Sequence, residues 1–276
     1  MLYFEIKKFL GSKSLNNKRF ILFLENLFEK SVYNFTKEDL EKLKKYIEKY
    51  IDLFKSKPPD YPIEYLTKKT YFFGYKFFIN ENVLIPRRET ENLVEEAIKV
   101  FQKNFHAFKK LNVLDLCCGS GCIGISFYNY IKNKIKYKGN IKLFFSDISL
   151  KALKITKLNL KFHKMDAFLT LQDKLKAFKS CKFHLILSNP PYIETNSPFI
   201  SKEVKYEPQI ALFASLDFLK TLSKEVFYRL KENGVYIFEC APYQIRSLKS
   251  FLNSLYKKVE IYFDYNQLPR GFICYK

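Results

Sequence analysis

Apolar segments that alternate with helical segments constrain the fold of this chain more than any other feature. Four short apolar runs are separated by stretches with helical periodicity: 112–116, 141–146, 183–188 and 234–239. Strands that alternate with helices form a largely parallel sheet covered on both faces. Two further strand candidates, 258–264 and 271–275, are joined by a short turn and should pair antiparallel. The sequence therefore predicts an α/β fold that ends in an antiparallel pair.

The beginning of the chain follows a helical pattern instead. Over 18–57 apolar residues recur every three or four positions, and Thr36 with Asp39 forms the pattern of a capping box. Prolines between 58 and 62 end this pattern, and the aromatic stretch 71–85 alternates around a glycine as a hairpin does. We expect three parts: a helical domain that recognises substrate over 1–69, a hairpin or linker over 70–86, and a large α/β domain over 87–276.

The charge of the chain admits two explanations. It has 48 basic and 28 acidic residues, a net charge of +20, which attracts RNA, ribosomes and other acidic surfaces. AT-rich codons would produce the same excess, together with the 8 glycines and the absence of tryptophan. Nucleic-acid binding therefore stays open as a secondary property. Hydrophobic residues at 47% and charged residues at 28% indicate a globular chain with a sizeable core.

The cysteines and the length of the apolar runs indicate the cellular compartment of the protein. Six cysteines lie among apolar residues without Cys-x-x-Cys spacing, which is typical of reduced, buried thiols: Cys117, Cys118, Cys122, Cys181, Cys240 and Cys274. Charged residues interrupt the apolar start of the chain, and no later run has membrane-spanning length. We expect a cytoplasmic protein that is neither secreted nor embedded in a membrane. The three histidines are scattered, and we expect no metal site.

A glycine loop follows the first strand of the α/β part. The strand 112–116 continues into Cys117-Cys118-Gly119-Ser120-Gly121, and a helical stretch comes next. Ligands bind at the carboxyl ends of parallel strands, where glycines let a cofactor approach the backbone. Residues 119–124 also spell the dinucleotide fingerprint, with Asp147 as the ribose-binding acid. Asp115, four residues before Gly119, favours S-adenosylmethionine, because Asp-x-Gly-x-Gly-x-Gly is typical of its binding proteins, with Cys117 at the first glycine.

Three acidic residues are candidate contacts of such a cofactor. Asp115 is placed to engage its amino group, and Asp147 to accept hydrogen bonds from both ribose hydroxyls. The alternative for Asp147 is an N-cap of the helix that follows. Asp166, after the short stretch 162–165, is expected to meet the adenine amino group, with a solvated loop acid as the alternative.

The segment Asn189-Pro190-Pro191-Tyr192 follows the buried strand 183–188 and predicts chemistry on a planar nitrogen. An amide nitrogen is a poor nucleophile because its lone pair is delocalised into the carbonyl. Two fixed acceptors for its N–H groups, the Asn189 side-chain oxygen and the Pro190 main-chain oxygen, would hold it for attack on a methyl group. Tyr192 would pack on the amide, and no general base is needed. The alternative is a proline-rich turn that only ends a strand.

These segments resemble the protein-glutamine N5-methyltransferases that modify bacterial release factors, the HemK-type family. The features that separate this family from adenine-N6 methyltransferases are Ile85-Pro86-Arg87 and Tyr206-Glu207-Pro208. The resemblance implies a seven-stranded, Rossmann-like class I methyltransferase sheet after a small N-terminal helical domain, with S-adenosylmethionine as cofactor. It implies a role in translation termination, through transfer of a methyl group to a glutamine in a Gly-Gly-Gln motif of peptide chain release factors.

The resemblance also assigns residues. The implied catalytic residues are Asn189, Pro190, Pro191 and Tyr192, and the implied cofactor contacts are Asp115, Cys117, Cys118, Gly119, Ser120, Gly121, Asp147, Asp166, Ala167 and Asn189. The chain departs from the family pattern at Cys117, which replaces a glycine, and at Ala167, which replaces a frequent aromatic residue. Arg87 and Glu89 are expected either to shape the substrate pocket or to form a structural salt bridge.

Three other functions stay open at this point. The sequence of residues 116–123 also resembles the corresponding segment of enzymes that methylate a glutamine of a large-subunit ribosomal protein. The Asn-Pro-Pro-Tyr segment is shared with enzymes that methylate adenine N6 in nucleic acid. The third alternative is a non-catalytic ribosome-binding module. Release factors are the expected partner, and an association with the ribosome is compatible with the charge.

Overall fold

The computed structural model describes residues 2–12, 17–178, 180, 182–195 and 202–276. Cys181, one of the expected buried thiols, lies outside these residues. The chain forms two compact units, Met1–Thr70 with Ser201–Tyr206, and Tyr71–Ile200 with Glu207–Lys276. Within the described part of the chain, no helix is long and apolar enough to span a membrane.

The first unit is helical. Its helices are α1 (Leu2–Ser12), α2 (Lys18–Phe28), α3 (Lys37–Lys55) and α4 (Ile63–Thr67). The continuous helical pattern of the sequence is broken because Glu29 adopts a left-handed conformation, with φ of 59°, that ends α2. The predicted capping box is confirmed: the Thr36 hydroxyl accepts the Asp39 N–H, and the Asp39 carboxylate accepts the Thr36 N–H. The fully buried rings of Phe20 and Phe23 contribute to the core of this unit.

A two-stranded sheet and a seven-stranded sheet follow. The small sheet consists of β1 (Lys69–Phe72) and β2 (Tyr75–Phe78), the predicted hairpin. The strands of the large sheet are β3 (Lys110–Leu116), β4 (Asn140–Asp147), β5 (Phe168–Leu171), β6 (Phe183–Ser188), β7 (Leu230–Glu239), β8 (Lys258–Phe263) and β9 (Pro269–Tyr275). Their order is β5-β4-β3-β6-β7-β9-β8. Pairing is parallel except along β9, which runs antiparallel to both β7 and β8, as predicted for the last two strands.

Helices cover both faces of the large sheet. They are α5 (Glu91–Val100), α6 (Cys122–Asn133), α7 (Leu150–Phe162), α8 (Leu216–Arg229) and α9 (Ile245–Asn253). Residues of α5, α6 and α7 pack in one buried apolar cluster, and residues of α8 and α9 pack in a second cluster. An antiparallel strand between β7 and β8 is absent from the dinucleotide-binding sheet, whose six strands run parallel. The topology therefore argues against the dinucleotide interpretation of 119–124.

The strand order places the two predicted site segments side by side. From β3 the chain continues outward through β4 and β5, and from β6 it continues outward in the other direction, so the switch point lies between β3 and β6. Ligands bind in open α/β sheets at this point, outside the carboxyl ends of the strands. Leu116 and Ser188 are paired in register, and the Ser188 hydroxyl donates to the Leu116 carbonyl over 2.7 Å. The glycine loop and the Asn-Pro-Pro-Tyr segment thus begin at neighbouring positions.

Candidate active site

A cavity of about 280 Å³ lies at the carboxyl ends of β3, β4, β5 and β6. Four consecutive segments after these strands contribute to its lining: 117–120, 147–149, 172–174 and the pair Asn189 and Pro191. Mostly apolar residues from 82–90 and 208–218, together with Arg87 and Thr90, form most of the remaining wall. A largely apolar cleft with a few convergent polar groups is the usual form of a cofactor site.

The glycine loop alternates through the left-handed conformation. Cys117, Gly119 and Gly121 have φ of 59°, 53° and 79°. A side chain at Gly121 would place its Cβ 2.9 Å from a methyl carbon of Thr156, whereas at Gly119 nothing lies within 4 Å. Gly119 thus presents bare backbone to open space at the cavity. Cys117 carries a side chain in the left-handed conformation that glycine adopts most easily, at a cost of about 1 kcal/mol.

Helix α7 holds the loop from behind. The Thr156 hydroxyl donates to the Gly119 carbonyl over 2.8 Å, and the Asn159 amide donates to the Ser120 carbonyl over 2.9 Å. Both side chains are fully buried. Buried polar groups that are satisfied in this way rigidify a structure. The loop is therefore fixed by side chains that the sequence did not single out, in the middle of an otherwise apolar helix face.

The carboxylate of Asp147 is oriented by two backbone N–H groups. Gly119 donates to its Oδ2 over 2.9 Å, and Ser149 donates to its Oδ1 over 2.8 Å. Burial raises the pKa of Asp147, and hydrogen bonds from Ser149 and Gly119 oppose that shift. Each oxygen keeps capacity to accept a second hydrogen bond. Ser149, whose hydroxyl oxygen accepts from the Ala152 N–H, is the N-cap of α7, so the alternative role expected for Asp147 falls to another residue.

Asp115 stands behind the loop, outside the cavity lining. Side chains alternate along a strand, so Asp115 shares the face of Val113, on which α6 packs. Its side chain is fully buried, and its Oδ2 accepts the Gly124 N–H in the first turn of α6 over 2.8 Å. Burial raises its pKa well above the ordinary value. Asp115 therefore anchors the first turn of α6, and its direct contact with the cofactor stays a prediction.

The sequence predicted Asp166 and Ala167 beside the adenine of the cofactor, but neither residue lines the cavity. Helix α7 extends to Phe162, and both residues directly precede β5, at the opposite end of that strand from the cavity. The turn after β5 lines the cavity instead, with Gln172, Asp173 and Lys174. The run Phe-Leu-Thr-Leu at 168–171 forms this strand but is too short to predict a strand from the sequence. Asp166 is an exposed acid, as its alternative interpretation stated.

The turn after β5 is fixed by Gln172. Its side-chain amide donates to the Ser146 hydroxyl over 2.9 Å, and its side-chain oxygen accepts the Ala177 N–H over 2.6 Å. Both ends of the side chain are therefore engaged within the protein. Gln172, Asp173 and Lys174 line the cavity in this fixed turn.

Asn189 is held by a residue that the sequence did not single out. Its side-chain N–H donates to the Thr90 hydroxyl oxygen over 3.2 Å, and Thr90, at the start of α5, is only 2% exposed. The side-chain amide is planar, so this bond turns the Asn189 Oδ1 away from Thr90. Among the described residues, no group donates to that oxygen. Asn189 thus offers a fixed acceptor in the cavity lining.

Tyr192 and Pro190 lie outside the cavity lining. The Tyr192 hydroxyl donates to the Glu239 carboxylate over 2.7 Å, and its main-chain carbonyl accepts from the Gln244 amide over 2.9 Å. Glu239 is buried, which raises its pKa, and hydrogen bonds from Tyr192 and Thr90 oppose the shift. The structure thus uses the tyrosine to hold the backbone of the segment, whereas the sequence predicted that its ring packs on the substrate amide.

The two segments that distinguish the family are joined by one carboxylate. Glu207, 4% exposed, accepts a hydrogen bond from the Arg87 guanidinium over 2.6 Å and one from the Ile85 N–H over 3.4 Å. Pro86, Arg87 and Pro208 line the cavity beside this pair. Arg87 therefore both forms a salt bridge and borders the cavity, and its partner in the bridge is Glu207.

Burial favours the protonated form of the thiols near the cavity. Cys117, Cys118 and Cys122 border it, and burial raises the pKa of all three, to about 12 for Cys122. A thiolate is needed for nucleophilic or metal chemistry. Within the described residues there is no group of histidine, cysteine and acidic side chains suited to a metal ion.

Known proteins match this chain over most of its length. A family model described as the methyltransferase small domain matches residues 90–204. The chain is 38% identical to the release factor glutamine methyltransferase of Borreliella burgdorferi, over 77% of this chain and 72% of that protein. It is 32% identical to the protein of the same name from Mycoplasma mycoides, over 93% and 87%.

A solved structure shares the fold at low sequence identity. The 16S rRNA N2 G1207 methyltransferase of T. thermophilus, in complex with AdoMet and guanosine, superposes with a TM-score of 0.54 and 13% identity, covering 75% of this chain and 49% of that one. The predicted seven-stranded class I methyltransferase fold is confirmed.

Proposed function

The chain belongs to the release factor glutamine methyltransferase family, and from that premise we propose its reaction. It transfers a methyl group from S-adenosylmethionine to the side-chain amide nitrogen, N5, of the glutamine in the Gly-Gly-Gln motif of peptide chain release factors. The observation that carries this proposal is the fixed Asn189 oxygen in a cavity next to the glycine loop.

The segment 189–192 localises the lone pair of the substrate amide nitrogen. The Asn189 Oδ1, in the cavity lining, accepts one N–H of the substrate amide, and the main-chain oxygen of Pro190, which lies between the lining residues Asn189 and Pro191, accepts the other. As the new N–C bond forms, the nitrogen becomes tetrahedral and its N–H groups become more acidic, so both hydrogen bonds strengthen. Interactions that strengthen toward the transition state raise the rate. The methyl–sulfur bond breaks with its electron pair on sulfur, and the extra proton on nitrogen leaves to water.

The cavity fits the cofactor on chemical grounds. When bound, S-adenosylmethionine supplies a methyl group on a positively charged sulfur. Asp147 has two oriented oxygens for the ribose hydroxyls, Gly119 leaves the space that a side chain would fill, and the turn 172–174 offers backbone groups for the adenine. Cys117, Cys118, Ser120 and Gly121 give the loop its shape. Asp115 acts as a positioning residue behind that loop.

The substrate side is formed by the residues around Glu207. Arg87 and Pro208 border the cavity, and the Glu207 carboxylate keeps both segments at that border. We assign recognition of the release factor to the helical part over 1–69, and the linking role to 70–86. The setting is the cytoplasm, where release factors and the ribosome are found.

A methylation experiment tests the proposal. The enzyme is incubated with labelled S-adenosylmethionine and, in separate reactions, with release factor, large ribosomal subunit proteins or nucleic acid, and the products are mapped by peptide mass spectrometry. Label on the Gly-Gly-Gln glutamine supports the proposal. Label confined to a ribosomal protein or to adenine would assign one of the alternative reactions, and absence of cofactor binding by calorimetry would favour a non-catalytic module.

A further inference from the structure

The outer face of α7 carries a row of lysines that the proposed reaction does not use. Lys151, Lys154, Lys157 and Lys161 are exposed, and their spacing of three or four residues places them on one side of the helix. The row extends about 15 Å, at the helical rise of about 1.5 Å per residue. We call this row, together with the adjacent ring of Phe162, the lysine face of α7.

The charge of this face is not compensated within the described part of the chain. Helix α7 contains four lysines and no acidic residue, and among the described residues none of the four forms an ion pair. Helix α3 differs, since its six lysines alternate with five acidic residues. Like charges three or four residues apart repel each other and destabilise a helix. A partner that brings negative charge would remove this repulsion.

We propose that the lysine face of α7 binds the phosphate backbone of single-stranded RNA. A row of ammonium groups matches a backbone with regularly spaced negative charges. Phe162 is 45% exposed at the end of the row, and the Lys76 Nζ lies 5.6 Å from the centre of its ring. An exposed aromatic ring beside lysines provides a surface on which a base can stack. The choice of RNA over DNA rests on the proposed function, because release factors act in translation.

The same helix does not fit a membrane surface. An interfacial helix inserts an apolar face into the lipid. Leu153 and Leu160 of α7 are buried in the protein, at 5% and 4% exposure, and the exposed Leu150 and Leu158 stand among the lysines instead of forming a separate apolar face. The remaining rival is an acidic protein surface, which has charge but neither regular phosphates nor bases.

Binding of a fluorescein-labelled oligouridine to the full chain, measured by anisotropy over a series of KCl concentrations, tests the proposal. The test variant and a control variant each remove four positive charges: Lys151→Gln, Lys154→Gln, Lys157→Gln and Lys161→Gln on α7, and Lys37→Gln, Lys44→Gln, Lys49→Gln and Lys55→Gln on α3. Each lost phosphate contact lowers the slope of log K against log salt by about 0.7. We expect the α7 variant to lose about 3 units of slope and at least tenfold in affinity at low salt, and the α3 variant to keep most of both.

Two further measurements sharpen the result. Phe162→Leu should weaken oligouridine binding without changing the salt slope, because it removes the ring and leaves the charges. The α7 variant should methylate isolated release factor, without RNA, at the rate of the unmodified enzyme, so the two proposals fail separately. Equal losses in the α7 and α3 variants, an α7 variant that binds like the parent, or tighter binding of poly-glutamate than of oligouridine to this face would overturn the proposal.

Discussion

The side chain of Asn189 donates to the hydroxyl oxygen of Thr90 over 3.2 Å, across 99 residues of sequence. Thr90 lies just before α5 and is almost fully buried, so this acceptor does not move into solvent. The bond decides which end of the Asn189 amide faces the cavity. An amide that rotated freely would present its N–H groups to the substrate half of the time, and these would repel the substrate N–H groups.

Replacing Thr90 by valine tests this relationship. Thr90→Val keeps the shape of the side chain but removes both the acceptor for Asn189 and the hydrogen bond to Glu239, and each lost hydrogen bond corresponds to about 0.5–1.5 kcal/mol. We therefore expect the rate of methyl transfer to fall roughly tenfold, with an unchanged dissociation constant for S-adenosylmethionine. Thr90→Ser, which restores the hydroxyl, should recover most of the rate. Equal rates for the valine variant and the parent enzyme would show that Asn189 is held by other means.

Asp147 and Asp166 form a matched pair for the cofactor. Asp147→Asn replaces one acceptor oxygen by an N–H donor that faces the backbone N–H of Gly119 or Ser149. We expect binding of S-adenosylmethionine, measured by calorimetry, to weaken roughly ten- to hundredfold, since a hydrogen bond to a charged group is worth about 1.5–3 kcal/mol. Asp166→Asn should bind as the parent does, because Asp166 is exposed and outside the cavity lining. The opposite ranking would restore the original sequence-based assignment of Asp166.

The left-handed conformation of Cys117 predicts a stability difference between two variants. Cys117→Gly and Cys117→Ala both remove the sulfur, but only the glycine variant relieves the strain of a side chain at φ of 59°. We expect the glycine variant to be more stable in urea unfolding by about 1 kcal/mol. Equal stabilities would mean that the loop relaxes when the sulfur is removed.

His184 predicts a specific acid sensitivity. Its Nδ1 accepts the Asn112 N–H over 2.9 Å, and burial, with the nearby Lys231, lowers its pKa from 6.5 to about 4. In the unfolded chain the ring is protonated below pH 6.5, so between 6.5 and 4 the unfolded state binds more protons than the folded state. The contribution of His184 to stability is complete above 6.5 and is lost as the pH falls toward 4.

A series of urea unfolding experiments between these pH values measures this effect. His184→Asn keeps an acceptor for the Asn112 N–H and cannot be protonated, so it should unfold with a shallower pH dependence over this range. His106→Asn serves as the control at a histidine outside the buried core. Parallel curves for the His184 variant and the parent would place the acid sensitivity elsewhere.

Much of the fold was predictable because the signals were local. The strands β3, β4 and β6 contain short runs rich in apolar residues between polar turns, and the Thr36 capping box is a pattern of four residues. The strand β5 was not predicted because it has only four residues, at the edge of the sheet, which are too few to show a periodic pattern. Because β5 was not predicted, the contact with adenine was predicted at Asp166 and not in the segment 172–174 that follows this strand.

The site was predictable where chemistry required a fixed residue type at a fixed spacing. Asn189 and Asp147 line the cavity as expected, and both follow the ends of strands. Thr90, Thr156 and Asn159 were missed because they act through the tertiary structure, on residues 37 to 99 positions away. Asp115 is close to the loop in sequence, but the alternation of side chains along β3 places it on the face of the sheet that packs on α6.

The most direct test of the central claim is single-turnover methylation of the release factor glutamine by Asn189→Ala, with S-adenosylmethionine binding measured on the same sample. Removal of the Asn189 oxygen takes away one of two acceptors for the substrate amide and leaves the glycine loop intact. We predict a rate of methyl transfer reduced roughly a hundredfold or more, as for the loss of a group that stabilises developing charge, with cofactor affinity within twofold of the parent. A rate near that of the parent at saturating release factor would contradict the account.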